Sequence, residues 1–433
     1  MMGLTLAERK AVTETIAIRY SLADKRTKGV ILDELCATTG WHRNHARKAL
    51  TTALQPKLVS PRSPRPPKYG PNVIAALTVC WTVLGMPAGK RLAPMLGELL
   101  AVLRHFGELV IDEDTAELLV SMSAATIDRR LASERAKYQL KGRCTTKPGS
   151  LLKSQIPVRT WADWNDARPG FVEIDLVSHD GGNPAGQFAF TLTVTDIATG
   201  WTEVRSVRNK SAHAVFTALV EIQAALPFAL LGIDSDNGSE FINAHLLSWC
   251  TTEQITFTRS RPGNKNDGCH VEQKNWDIAR RSVGYWRYDT AGELALLNQI
   301  WPVLSMLINL FTPQQKLLSK TRTGAKVSKR YDTAQTPYQR LLAHAAVDPN
   351  VLDEVDARRL AALLETTNPA AVRREIGQLQ ATLLERVRRK TITRRAKTNR
   401  AYLSGTKTKT REGQSVPKRA LPDESTTTAK RAS

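Results

Sequence analysis

Phe171-Val-Glu-Ile-Asp175-Leu-Val-Ser178 reads as a strand, and it sets how the rest of the chain is understood. Asp175 sits between Ile174 and Leu176, so strand alternation points it to the face opposite those two apolar side chains. An ionised carboxylate in an apolar strand is costly unless a cation or hydrogen bonds compensate it. Two further acids lie downstream in quite different settings. Asp236 occurs in Asp234-Ser-Asp236-Asn-Gly-Ser-Glu-Phe241, and Glu272 in Asn266-Asp-Gly-Cys-His-Val-Glu272-Gln-Lys-Asn275, with 35 residues between Asp236 and Glu272. Each also has an ordinary reading, since Asp-Asn-Gly makes a turn and an acid early in a helix answers the helix dipole. Asp234 is the nearest competitor for a metal, with Asp196, Asp180 and Asp267 behind it.

Around these acids the period changes from helical to alternating. Strands are expected at 171–178, 187–196 and 202–207, with turns at Gly181-Gly182-Asn183-Pro184 and Ala198-Thr199-Gly200. A helix at 212–226, a strand at 229–233, a helix at 240–250, a strand at 255–258 and a helix at 267–283 follow. Three antiparallel strands and then alternating helices and strands describe a ribonuclease-H-like α/β domain with a mixed five-stranded sheet. Asp236 would fall just past a strand's carboxyl end, where ligand sites form in open sheets. Glu272 would share a helix face with Asn275, Trp276 and Ala279.

Outward from this core the chain is basic. Its 433 residues carry 62 Lys and Arg against 41 Asp and Glu, a net charge of +21, which favours a polyanionic partner, nucleic acid ahead of a membrane. Such a length implies several domains. Cys36, Cys80, Cys144, Cys250 and Cys269 form no C-x-x-C pair, which fits a reducing cytoplasm. His42 and His45 lack the cysteines that would complete a zinc site. The amino terminus is charged too early for a secretory signal, and the apolar runs at 73–85 and 215–232 are too short or too broken to cross a bilayer.

Residues 1–55 suggest three helices, with a capping box at Thr5 and Glu8, a second helix at 28–37 carrying Val30, Ile31 and Leu35, and a third at 41–54. The third buries Ala46, Ala49 and Leu50 and exposes Arg43, Asn44, Arg47 and Lys48, a helix-turn-helix-like pattern suited to a major groove. Prolines and arginines make 56–71 a linker. Residues 72–140 form a second helical, helix-turn-helix-like domain, in which Ser123 caps a helix running to about 138 that displays Arg129, Arg130 and Arg135. A basic connector covers 141–170, and 171–311 is the catalytic core, closed by a long helix at 291–311 kinked at Pro302. The region 312–387 starts with a basic β-ribbon near 316–330 and becomes helical in its second half, at 352–364 and from Asn368-Pro369 to about 389. Residues 388–433 are a basic tail expected to be disordered when free.

The strings Glu173-Ile-Asp-Leu-Val177, Asp234-Ser-Asp-Asn-Gly-Ser-Glu-Phe-Ile-Asn243 and Ser260-Arg-Pro-Gly-Asn-Lys-Asn-Asp-Gly-Cys-His-Val-Glu-Gln-Lys-Asn275 resemble the integrase-core (DDE) transposases of bacterial insertion sequences, relatives of retroviral integrases. The resemblance is strong over about 157–290 and looser in the flanks. The amino-terminal zinc module of the retroviral enzymes is replaced by the helix-turn-helix-like segments, and Gly263 and Gly268 loosen the loop before Glu272. The resemblance implies that Asp175 bridges two Mg²⁺ ions, with Mn²⁺ able to substitute, while Asp236 and Glu272 complete one site each. Water would free a 3′-hydroxyl at each element end, and that hydroxyl would attack target DNA. Partners would be element-end and target DNA and further copies of the chain assembled on DNA, on a bacterial nucleoid in the cytoplasm. Lys274, Arg280 and Arg281 are candidates for phosphate contact. A domesticated DNA-binding regulator and a ribonuclease-H-type nuclease are the competing readings.

Overall fold

The computed structural model describes residues 4–55, 67–137, 168–236, 238, 240–259, 271 and 274–405, with side chains described as far as 393. The chain divides into two compact units, Met1–Lys68 and Tyr69–Ser433.

The first unit is three helices, α1 (Leu6–Leu22), α2 (Lys25–Thr39) and α3 (Arg43–Ala53). The Thr5/Glu8 capping box starts α1, and Asp24 caps α2 through the Thr27 amide at 2.7 Å, three residues earlier than expected. Gly40 ends α2 at φ +69°, a left-handed conformation that favours glycine. Ala17, Leu32, Leu35, Ala46 and Leu50 form the core. Ile31 and Leu35 are buried as expected, whereas Val30 is exposed and Leu32 takes the inward position. His42 caps α3 through Nδ1, and His45 lies edge-on to Trp41.

The second unit opens with α4 (Pro71–Val83), α5 (Gly89–Leu92), α6 (Leu96–His105), α7 (Glu113–Val120), α8 (Ala124–Arg130) and α9 (Ala132–Ala136). Pro71, read as the end of the linker, occupies the first turn of α4, where its missing amide costs nothing. Ser123 does cap α8, but the helix expected to reach 138 breaks at Leu131, whose side chain is fully buried. These helices share one continuous core with the sheet, including Trp81, Leu96, Leu103 and Ile127.

The sheet contains β1 (Phe171–Ser178), β2 (Phe190–Asp196), β3 (Thr202–Val207), β4 (Gly232–Ser235) and β5 (Thr256–Arg259), in the order β3-β2-β1-β4-β5. β1–β2 and β2–β3 are antiparallel, and β1–β4 and β4–β5 are parallel. This is the mixed five-stranded ribonuclease-H-like sheet. α10 (Ala212–Ala225) follows β3, and α11 (Ala244–Thr252) precedes β5. β4 starts three residues later than expected, because Phe228 and Leu230 pack in the core without joining the ladder. α11 also starts later, at the Asn243 cap.

β3 is an edge strand, and α12 (Ala291–Phe311) covers it. The Asn309 side chain accepts from the Thr202 amide and donates to the Thr202 carbonyl, at 2.9 and 3.0 Å. Asn298 does the same at Ser206, at 2.7 and 2.9 Å. Two side-chain amides three helical turns apart thus act as a partial sixth strand and block edge pairing. At 21 residues α12 is long and apolar enough to cross a membrane by composition, yet most of it is buried here.

Glu203 lies buried beside this contact and accepts from the Trp201 indole N–H at 3.1 Å. Desolvation pushes its carboxyl up to about 7, against the pull of Arg205 and that hydrogen bond. A raised carboxylate binds more protons folded than unfolded, so its contribution is complete below the unfolded pKa and is lost as pH rises through about 7. Asp196, pushed up to about 6 by burial, acts in the same direction. The urea midpoint is therefore expected to climb as pH falls from 8 to 5. Glu203→Gln should be more stable than the wild type at pH 8, by on the order of 1–3 kcal/mol, and equal to it at pH 5. A pH-independent difference between the two proteins would refute this.

After α12 come the hairpin β6 (Leu317–Thr323) and β7 (Lys326–Tyr331), then α13 (Pro337–Val347), α14 (Glu354–Thr366) and α15 (Pro369–Gly405). Both hairpin strands are exposed throughout, as a basic ribbon would be. α15 docks on the core through Lys390, which donates to Glu293 at 2.6 Å and Asp289 at 3.0 Å. The helix expected to end near 389 continues to Gly405, so residues 388–405 are helical rather than disordered; the remainder of the expected tail lies outside the described residues.

Candidate active site

Asp175 is half-buried in β1, while Ile174 and Leu176 on either side are buried. Alternation places Glu173 and Asp175 on one face of the sheet. In the parallel pairing Glu173 stands opposite Asp234 and Ile174 opposite Ser235. That is the last paired rung; Asp175 lies one residue beyond it on β1, and Asp236 is the first residue past the carboxyl end of β4. Glu173, Asp234 and Asp175 therefore share one face, with Asp236 where β4 gives way to the loop.

The buried pair and the two outer aspartates differ in what satisfies them. Glu173 and Asp234 are each 1 % exposed. Glu173 accepts from the Val271 amide at 3.1 Å, and Asp234 from the Thr258 hydroxyl at 2.6 Å. Both serve to join elements. Asp175 and Asp236 reach solvent. Asp236 accepts from the Gly238 amide at 2.8 Å, and desolvation raises its pKa, helped by Glu240 and opposed by that amide and by Lys210. Asp196 ties Gly170 to the 196–199 turn through hydrogen bonds of 2.6–2.8 Å, and Asp180 holds the Gly182 amide at 2.7 Å. Asp267 lies outside the described residues.

Glu272 also lies outside the described residues, but Val271 before it and Asn275 after it are both hydrogen-bonded to β1. Val271 donates to Glu173, and Asn275 donates from Nδ2 to Asp175 Oδ2 at 2.6 Å. From Asn275 to Arg280 the helix widens to a π-helical turn before one α turn, Arg281–Val283. Such bulges recur at functional sites. Among the described residues no three of His, Cys, Asp and Glu converge as a metal site.

The residues present nevertheless suit a hard divalent cation. The donors are oxygens only, which is the preference of magnesium. Asn275 Oδ1 and the Thr193 hydroxyl, which shares the Asp175 rung across β2, are buried oxygens with no hydrogen-bond partner among the described residues. If Asn275 orients Asp175 for a cation, Asn275→Ala should reduce Mg²⁺-dependent activity about 10–100-fold. Raising Mg²⁺ should recover part of that loss. A loss that no Mg²⁺ concentration moves would show a purely structural role.

The basic residues expected to touch phosphate fall into two groups. Asn44, Arg47 and Lys48 are exposed on α3, and Arg43 is exposed but ion-paired with Asp33. Arg129 and Arg130 are exposed at the end of α8. Lys274 instead points inward, to Gln314 at 2.5 Å and the Gly200 carbonyl at 3.3 Å, and burial pushes its amine down to about 7. Arg280 is buried against the Tyr285 ring, and Arg281 donates to the Gly85 carbonyl at 2.9 Å.

Residues 165–265 match the family model described as the integrase core domain, a span that includes Asp175 and Asp236 and ends before position 272. The uncharacterized protein y4rM of Sinorhizobium fredii is 39% identical over 344 residues, 78% of this chain and 96% of that one. This chain is an integrase-core, DDE-transposase-like protein and belongs to the same family as y4rM. An integrase core supports polynucleotidyl-transferase-type chemistry. Among solved structures, the catalytic core domain of BIV integrase is 19% identical, covering 42% of this chain and 98% of its own, with a TM-score of 0.29. The HTLV-2 integrase catalytic core domain, in complex with magnesium, is 17% identical, covering 35% and 93%, with a TM-score of 0.27.

Proposed function

We propose that this chain is a DNA transposase that frees a 3′-hydroxyl at the ends of a mobile element and joins it to target DNA. The observation that supports the reading is that Asp175 on β1 and Asp236 just past the end of the parallel neighbour β4 lie at one end of the sheet, where Val271 hydrogen-bonds to Glu173 and Asn275 to Asp175. Asp175, Asp236 and Glu272 would hold two Mg²⁺ ions, with Mn²⁺ able to substitute. Magnesium bound there would supply charge neutralisation at phosphorus and a more acidic nucleophile. The protein's own part is to hold and orient. Asn275 fixes one oxygen of Asp175, and the Leu176 amide fixes the other at 2.7 Å. Gly238 fixes Asp236.

In the first step water adds to the terminal phosphorus and the bond to the element's 3′ oxygen breaks, leaving a 5′-phosphate on the flanking DNA. In the second, that 3′ oxygen bonds to a target phosphorus, its proton leaves, and the target's own 3′ oxygen departs. Exposed cations on α3 and at the end of α8 supply DNA contact, and assembly of further copies on DNA accompanies it. The test is incubation of the full chain with labelled element-end duplex, target plasmid and Mg²⁺. Joined products are expected. Cleavage without joining would make the protein a nuclease, and binding without chemistry a DNA-binding regulator.

A further inference from the structure

The second unit contains a cavity of about 660 Å³ whose lining includes neither Asp175 nor Asp236. It lies between the loop after α4, the β2–β3 turn, the helix carrying Lys274 and Arg281, and one face of the β6–β7 hairpin. Its charge is lopsided. Arg91, Lys274, Arg281, Lys316, Lys320 and Lys329 line it, and the facing acids are Asp196 and Asp277. Asp196 is already engaged in its own turn, and Asp277 faces Arg281 at 3.7 Å.

Three of the cations have no such attachment. The side chains of Arg91, Lys320 and Lys329 make no hydrogen bond or ion pair with the described residues. Lys320 and Lys329 are direct cross-strand partners, an arrangement that is destabilising for like charges unless an anion bridges them. Alternation puts Tyr331 and Arg322 on the same hairpin face, so positive charge continues toward the hairpin tip and an aromatic ring stands in the cavity wall. A cationic groove with an aromatic platform is what a single nucleic-acid strand requires, phosphates on the cations and a base on the ring.

We propose that this cavity binds the phosphodiester backbone of a single nucleic-acid strand, held between the β6–β7 hairpin and the side of the helix that carries Lys274 and Arg281. The site stands apart from the strand-transfer reading, because binding there needs neither carboxylate nor metal. Its test uses the full chain in EDTA and a fluorescein-labelled 12-nucleotide thymidine oligomer, with affinity measured by anisotropy across a salt series.

Lys320→Ala with Lys329→Ala should flatten the slope of log K against log salt by about 1.4, two phosphates at about 0.7 each. Tyr331→Ala should weaken binding about 10-fold and leave the slope unchanged. The control pair, Lys326→Ala with Arg330→Ala, removes equal charge from the opposite hairpin face and should change the slope little. Equal slope changes in the two pairs, or no effect of Tyr331→Ala, would overturn the proposal. So would tripolyphosphate competing as well as the oligomer at equal phosphate, since the ligand would then be a free polyphosphate.

Discussion

Asp175→Asn is expected to lower strand transfer by about 10³-fold or more, the scale of losing a charge-stabilising group at a transition state, with the urea midpoint nearly unchanged. Asparagine keeps the shape of Asp175; its one oxygen can accept from the Leu176 amide, and its NH2 can donate to Asn275 once that side-chain amide flips to present its unpartnered Oδ1. What disappears is the negative charge, so the substitution isolates the cation-holding role. Asp236→Asn should behave alike. Asp234→Asn makes the decisive contrast, because that carboxylate is buried and engaged with Thr258. It should lower stability and leave the rate within about 10-fold, since it removes a buried hydrogen-bonded partner rather than a ligand. Gel assays of joined product beside urea melts separate the two outcomes. An inactive Asp234→Asn with an active Asp236→Asn would move the site to the Glu173–Asp234 pair.

Trp301→Ala is expected to cost about 3–5 kcal/mol of stability, the range for deleting a buried aromatic. Trp301 is fully buried in α12, and its indole N–H donates to the Ser206 hydroxyl at 2.7 Å. It lies between the two asparagines that cover β3, so its removal opens a cavity where the helix meets the sheet edge. Trp301→Phe should recover much of the loss by refilling that space. A cost below about 1 kcal/mol in urea denaturation would show that the α12 contact contributes little to the core.

How much of this was legible in the sequence depended on whether a feature is local. β1 and β3 fall on the expected residues, because apolar alternation and glycine turns bracket them. β4 was displaced because Phe228-Ala-Leu-Leu231 is apolar without alternation, and such a run does not say which residues join a ladder. α15 was cut short because dense positive charge reads as disorder, whereas arginine, lysine and alanine are good helix formers and no proline stands between Thr391 and Gly405.

Asp175 and Asp236 are visible through their motifs, and the register brings β1 beside the carboxyl end of β4. Glu173 was overlooked as a docking residue, since its partner Val271 lies 98 residues away. Asn275 was placed on the face of Glu272 without its contact to Asp175, 100 residues away. Asn298 and Asn309 were hidden in a helix read only for its apolar stripe. A polar residue on the buried side of such a stripe was the available signal. Lys274, Arg280 and Arg281 stand out in the sequence by charge alone, and the partners that hold Lys274 and Arg281, Gln314 and Gly85, are distant along the chain.

The most direct test is a crystal structure of the full chain grown with Mn²⁺ and measured at the manganese absorption edge. Anomalous density is predicted beside β1 and β4, with oxygen atoms of both Asp175 and Asp236 at roughly 2.1 Å from the metal, the distance of a small hard cation. Manganese bound away from both aspartates, or their carboxylates turned to separate sites, would contradict the account.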